Sequence, residues 1–250
     1  MSDEGAVTTN GTSTRLEEAA LSPRSNCVED LGRRIPILRP CASDVEAAIE
    51  ILMSSLRGGG KVLVCGNGGS ASDSEHLVAD MMKGFMLPRP IPDVDRERLV
   101  TIAGPRADEI AAGLQGALAA VALSSEAALT TAIANDVRFD MVFAQQVHGL
   151  GKPGDVLFGI STTGNSPSVV NAAYVARLRG MKVIALTGRN GGEVATVADV
   201  AIRVPADRVY EVQELHLPVY HAIALELEQT FFCDPHEIVA GSAAAGHAEP

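Results

Sequence analysis

The chain contains no tryptophan, and its other aromatics are three tyrosines and six phenylalanines in 250 residues. Its core must therefore be built from Ala, Val, Leu and Ile, the material of parallel strands buried on both faces. Basic residues are also few: 20 Lys and Arg stand against 31 Asp and Glu, a net charge of −11. Nonspecific nucleic-acid binding needs clustered Lys and Arg to neutralise phosphates, so no nucleic-acid partner is expected. One phosphate group is not excluded, because backbone N–H groups at a helix N-terminus hold it whatever the global charge. The four cysteines (Cys27, Cys41, Cys65 and Cys233) form no CxxC pair and show no regular spacing. That predicts thiols in a reducing, cytoplasmic compartment. No apolar run approaches membrane length, and the first residues lack an apolar signal-like stretch, so no membrane partner and no export are expected. A Gly-x-Gly-x-x-Gly fingerprint is not met by Gly66-Asn67-Gly68-Gly69-Ser70-Ala71, and a Walker lysine is missing. A nucleotide cofactor is not expected.

What remains is a chain that is 46% hydrophobic and 20% charged, enough for one large α/β domain. Residues 1–35, mostly small, polar and acidic, read as a disordered arm, and 236–250 as a flexible tail. Between them, 36–235 alternate apolar strands with helical segments. Strands are expected at Lys61–Cys65, Ala119–Leu123, Asp155–Ile160, Lys182–Leu186 and Val200–Val204. Ser43 and Glu46 have the spacing of a capping box for a helix to about Leu56. Helices are also expected over about 71–83, 126–134, 139–150, 167–179 and 214–231. Pro218 argues that the last of these begins within 213–217, since proline is tolerated in a first turn. A Pro-rich loop with Pro88, Pro90, Pro92 and Pro105 reads as a lid or an interface element. This alternation predicts a doubly wound parallel sheet with helices on both faces, in a single domain.

Two polar turns follow strands and open helices. Gly66-Asn67-Gly68-Gly69-Ser70 lets backbone N–H groups approach an anion, and the helix dipole adds a positive end. Ser161-Thr162-Thr163-Gly164-Asn165-Ser166 repeats that logic with four hydroxyls. Either turn alone reads equally well as an ordinary cap; two of them after strands of one sheet point to a phosphate monoester. His76 and Asp80 lie four apart on one helical face, and Gln213 and His221 eight apart, nearly on one face. Two imidazoles, a carboxylate and a carboxamide suit a four-ligand zinc site, and equally a proton-transfer site. His148, His236 and His247 read as solvated side chains, and His216 stays undecided.

Taken in order, the strand–GNGGS–helix with His76, Ala134-Asn135-Asp136, Ser161–Ser166, and Gln213-Glu214-Leu215-His216 followed by His221 resemble the phosphoheptose isomerases. The resemblance runs from about Leu38 to Phe232. It implies the sugar-isomerase (SIS) fold and conversion of sedoheptulose 7-phosphate to an aldoheptose 7-phosphate through an enediol. It implies zinc on His76, the carboxylate at position 80, Gln213 and His221, with that carboxylate and His221 as the proton-transfer pair. Asn67, Gly68, Gly69, Asn135, Asp136, Ser161, Thr162, Thr163 and Ser166 match substrate-binding positions, joined by Ser70 of the first turn and by Gln213. The partners implied are a phosphorylated ketose and three further copies of the chain, a homotetramer.

Position 80 departs from the family pattern, which has Glu. Asp is one methylene shorter, so its carboxylate withdraws by roughly 1–1.5 Å, and a shift of about 1 Å costs on the order of a hundredfold in rate. Glu75 is turned about 140° away round the helix and is no substitute. Either the site is rebuilt around Asp80, or metal binding and activity change. Two rival readings follow: an isomerase for a longer ketose phosphate such as an octulose phosphate, and a SIS module that binds without turnover. Retention of His76, Gln213 and His221 counts against the second.

Overall fold

The computed structural model describes residues 26–233. Five parallel strands form one sheet in the order β2-β1-β3-β4-β5. They are β1 (Val62–Cys65), β2 (Ala120–Ala122), β3 (Val156–Ser161), β4 (Lys182–Thr187) and β5 (Val200–Arg203). The expected fold class holds, with strand ends displaced by at most one residue.

Alternation along the strands feeds two cores, because successive side chains point to opposite faces. Val62, Val64, Phe158, Ile160, Ile184 and Leu186 pack on one side, together with α1 (Cys27–Arg34), α2 (Ala42–Arg57), α3 (Gly69–Met82) and α10 (Val209–Phe232). Leu63, Cys65, Leu157, Val183 and Ala185 face the other side. There they meet α6 (Ala127–Asp136), α7 (Val142–Leu150), α8 (Pro167–Leu178) and the short α9 (Val194–Val197). Cys65 serves as a small hydrophobe at 0% exposure, and burial pushes its thiol up to about 12. Among the described residues no helix is long and apolar enough to cross a membrane.

Four expectations need correction. The arm assigned to 1–35 ends in a helix, α1: Asn26 caps it by accepting from the N–H groups of Val28 and Glu29, and it buries Cys27, Val28 and Leu31. Eight residues carry too little periodicity to be read against a polar background, and packing on α10 supplies the stabilisation that propensity does not. The rest of the arm, and the tail 236–250, lie outside the described residues. The Ser43–Glu46 capping box does not form, since α2 is entered directly from a 3-10 turn over Pro36–Cys41 and its N-cap is Cys41. The Pro-rich loop is largely helical, with α4 (Asp93–Ala103) and α5 (Ala107–Gly113). Pro92 caps α4 and Pro105 starts a 3-10 turn, positions that tolerate a missing N–H.

The last helix starts earlier than Pro218 implied. α10 begins at Val209, with Pro218 inside it. The carbonyl that Pro218 leaves without a partner belongs to Glu214, an exposed residue. Gln213 accordingly sits in the second turn of α10 and not at its mouth.

Candidate active site

In an open parallel sheet the ligand crevice lies at the carboxyl ends of the strands, where the chain order reverses. Here β1 is flanked by β2 on one side and β3 on the other, so the reversal falls between β1 and β3. Both polar turns leave the sheet at that point. Gly68 has φ +57°, a conformation open to glycine, and releases the chain into α3. A Cβ on Gly69 would run into the Gln213 carboxamide, so glycine there lets α10 approach the turn. The second turn opens α8 with Ser166 as N-cap and Pro167 in its first turn.

The two turns are tied together. The Asn67 carboxamide donates to Ser166 Oγ at 2.8 Å and to Ser168 Oγ at 2.9 Å. Asn67, Gly68, Gly69, Ser70, Ser161, Thr162, Thr163, Ser166 and Gln213 line one cavity of about 390 Å³, with Ile160 and Val209 as its apolar members. That volume is of the order of a small-molecule site. Some of the hydroxyls have structural partners as well: Ser161 Oγ accepts from Gly164 N at 3.1 Å, and Thr163 Oγ1 from Asn165 N at 3.2 Å. A cleft of about 580 Å³ opens at the amino ends of the strands, but Asp155, one of its two carboxylates with Glu50, is already held by Lys61 and Lys152.

His76 and Asp80 come from α3 and His221 from α10, two helices packed on each other. Asp80 Oδ2 lies 3.7 Å from His76 Nε2 and 3.8 Å from His221 Nε2, and the two nitrogens are 3.5 Å apart. The shorter side chain at position 80 thus still reaches both imidazoles. Asp80 is buried, and its Oδ2 has no hydrogen-bond partner among the described residues. Burial raises its pKa, while His76 and His221 pull the other way. Burial lowers that of His221 against the attraction of Asp80. A buried carboxylate oxygen set between two imidazoles, with no hydrogen-bond partner among the described residues, forms with them a group that could hold a cation. The three ligand atoms form a triangle with sides of 3.5, 3.7 and 3.8 Å, a little wider than the roughly 3.3–3.4 Å between ligand atoms around a tetrahedral zinc. The three groups therefore suit the metal implied by the resemblance, while Gln213, the fourth ligand it implies, lines the cavity of the two turns on the same helix as His221.

Other candidates fall elsewhere. Asn135 and Asp136, the last residues of α6, are exposed and bonded to each other at 2.8 Å, and they do not line this cavity. His216 is fully buried, and neither ring nitrogen has a well-formed hydrogen bond among the described residues; burial pushes it down to about 4 against the opposing pull of the Thr187 backbone, so it is a neutral core residue outside the trio. Sequence reading missed Ser168, Asp73 and Tyr220. Tyr220 packs edge-on against His76 and His221, and its hydroxyl reaches His76 Nδ1 at 3.1 Å and Asp73 Oδ1 at 3.3 Å. The only signal for Asp73 was its place one helical turn before His76.

Comparison with known proteins agrees with the geometry. A SIS domain model matches residues 37–96 and 103–188. The phosphoheptose isomerase of Aromatoleum aromaticum is 40% identical over 199 residues, 78% of this chain and 87% of that protein. That of Azoarcus sp. (strain BH72) is 41% identical over 185 residues, 73% and 81% respectively. Among solved structures, the phosphoheptose isomerase of Neisseria gonorrhoeae superposes with a TM-score of 0.62 at 36% identity, covering 80% of this chain and 91% of that one. The Francisella tularensis enzyme gives 0.63 at 30% identity, covering 80% and 95%.

Proposed function

The chain belongs to the SIS-domain family of phosphoheptose isomerases, and from that premise we propose that Asp80 and His221 carry the proton transfers of its aldose–ketose isomerisation. The chain is a phosphosugar isomerase, and the family reaction interconverts sedoheptulose 7-phosphate and an aldoheptose 7-phosphate. The observation that carries the residue assignment is the buried Asp80 carboxylate, set within 3.8 Å of both imidazoles on α3 and α10, the two helices that also line the cavity through Gly69, Ser70 and Gln213.

The phosphate sits in the Ser161–Ser166 turn, where hydroxyls and the N-terminus of α8 supply donors without a lysine. Asn67 and the Gly68–Gly69 backbone bind the adjoining hydroxyls. Asp80 takes the proton from C1 as the C2 carbonyl oxygen gains one, giving the C1=C2 enediol. The hydroxyl at C1 then loses its proton, and Asp80 returns the carbon-bound proton to C2. His221, kept mostly neutral by burial, moves the oxygen-bound proton between O2 and O1. Zinc held by His76, Asp80, Gln213 and His221 would polarise the two sugar oxygens and stabilise the charge that develops on them.

Asp80→Asn keeps the shape but loses the charged acceptor. It should lower kcat by roughly a hundred- to ten-thousandfold, with the fold intact. Solvent deuterium incorporation at the sugar carbon should fall in parallel. Turnover and incorporation at the parental rate would show that Asp80 is not the base. We further propose a homotetramer in the cytoplasm. The support is α4, a helix without a buried residue that leaves Val94, Val100 and Ile102 exposed, and the burial of Cys41 and Cys65 as thiols. Sedimentation equilibrium reads the assembly directly, and a fully active monomer at micromolar concentration would end that proposal.

A further inference from the structure

We infer that Asp73 and Tyr220 form a hydrogen-bond relay that fixes the tautomer of His76, holding its proton on Nδ1 and presenting the Nε2 lone pair to Asp80 and His221. The inference rests on the metal reading of the site and adds two positioning residues to it.

The polarity follows from counting protons. A tyrosine hydroxyl has one proton to give, and at neutral pH the phenol keeps it. Burial raises the Asp73 pKa, opposed by the Tyr220 hydroxyl and by His76; once ionised the carboxylate only accepts, so between Tyr220 and Asp73 the hydroxyl donates, to Asp73 Oδ1 at 3.3 Å. With its proton spent there, the Tyr220 oxygen faces His76 Nδ1 at 3.1 Å as an acceptor. A favourable contact then requires the His76 proton on Nδ1. A neutral imidazole carries one N–H, so Nε2 holds a lone pair. Nε2 is the nitrogen 3.5 Å from His221 Nε2 and 3.7 Å from Asp80 Oδ2, the corner of the triangle where a ligand atom must be unprotonated.

The surroundings hold this relay in place. Tyr220 is 1% exposed, packed between the helices, and its ring stands edge-on to His76 with centroids 5.5 Å apart. Asp73 and His76 are one turn apart on α3, whereas Tyr220 comes from α10, so the relay also links the helices that bring the trio together. Asp73 Oδ2 is buried with no hydrogen-bond partner among the described residues, so the hydroxyl on Oδ1 is the contact that orients this carboxylate.

Removing each member has a different consequence. Tyr220→Phe keeps the buried ring and deletes the hydroxyl, leaving His76 free to take either tautomer. Asp73→Ala frees the hydroxyl to turn and donate to Nδ1, which selects the proton on Nε2, the wrong tautomer for a metal. Affinity for Zn2+, measured by competition with a chromophoric chelator on the full chain, should fall on the order of tenfold to a hundredfold in Tyr220→Phe. It should fall at least as far in Asp73→Ala, and the double variant should be no worse than Asp73→Ala, because Asp73 acts through the hydroxyl. Circular dichroism and unfolding curves establish that each variant is folded. Parental zinc affinity in Tyr220→Phe overturns the relay, and so do losses that multiply in the double variant.

A second readout stands apart from metal binding. In metal-free protein labelled with 15N-histidine, at mildly alkaline pH, His76 should be protonated on Nδ1, and Asp73→Ala should move the proton to Nε2. A parental His76 protonated on Nε2 refutes the relay. Should the parental chain take up no zinc, the metal reading falls, and this spectrum alone judges the relay.

Discussion

Ser166 and Ser168 hold the Asn67 carboxamide between them, so one side chain welds the two ligand turns into a single cradle. Ser166 has a double position, as the N-cap residue of α8 and as part of the cavity wall. If its hydroxyl binds phosphate, it does so in the ground state and the transition state alike. Ser166→Ala should then mainly raise KM, by roughly ten- to a hundredfold for a hydrogen bond to a charged group, with kcat nearly unchanged. Steady-state kinetics reads this directly, and a loss confined to kcat would remove Ser166 from the phosphate site. At this scale much was legible, because turn chemistry is local: glycine and hydroxyl positions announce themselves in a string of six residues. Asp80 was legible as a residue, but its reach was not. Whether the shorter side chain meets His221 depends on how closely α10 lies against α3, a tertiary distance that the glycine at position 69 permits. Ser168 and Tyr220 were silent, since a lone Ser in a helix and an aromatic in an apolar stretch look like packing.

At the scale of elements, the segment after α3 shows what a polar composition conceals. Arg89 lies among prolines, yet its side chain is 0% exposed. It donates to Glu228 Oε1 at 2.8 Å and to the carbonyls of Met81 and Asp80 at 2.8 and 2.9 Å, with its guanidinium over the Phe232 ring. Glu228 also accepts from the N–H groups of Phe85 and Met86, and Phe85 packs on His221. The pair closes the end of α3 that carries Asp80 and joins it to α10. Removing one partner strands a buried charge, so Arg89→Met should cost about 3–5 kcal/mol in denaturant unfolding. Adding Glu228→Gln neutralises the stranded charge and should recover part of that loss. An Arg89→Met loss below about 1 kcal/mol would show that water or a neighbour already serves Glu228. The strands were legible because continuous apolar runs survive any tertiary context. This clamp was not, because nothing in an Arg between prolines distinguishes a buried guanidinium from a solvated one. The Pro218 error has the same root: propensity marks a helix end, and twenty-four residues of packing overrule it.

For the molecule as a whole, the sheet places the polar chemistry at one end and leaves His216 as an ionisable group inside the core. It is 0% exposed, and burial holds its folded pKa at about 4, against an ordinary value of 6.5. Well above pH 6.5 neither the folded nor the unfolded chain protonates this ring, and its effect on stability is constant. As the pH falls from 6.5 towards 4, the unfolded chain takes the proton and the folded chain refuses it, so stability declines through that window. Across the whole window the loss amounts to roughly 3 kcal/mol. Asp155 adds a separate decline at lower pH. Burial alone would raise its pKa, but hydrogen bonds from Lys61 and Lys152 hold it below the usual carboxylate range, and their stabilisation disappears as the folded carboxylate is protonated. His216→Leu keeps an apolar side chain of similar bulk and removes only the titration. Urea unfolding from pH 7 to pH 4.5 should show a flatter decline for this variant than for the parental chain, with the gap opening below pH 6.5. Parallel curves would mean that His216 finds a partner for its proton inside the fold, and that acid lability resides in other groups of the chain.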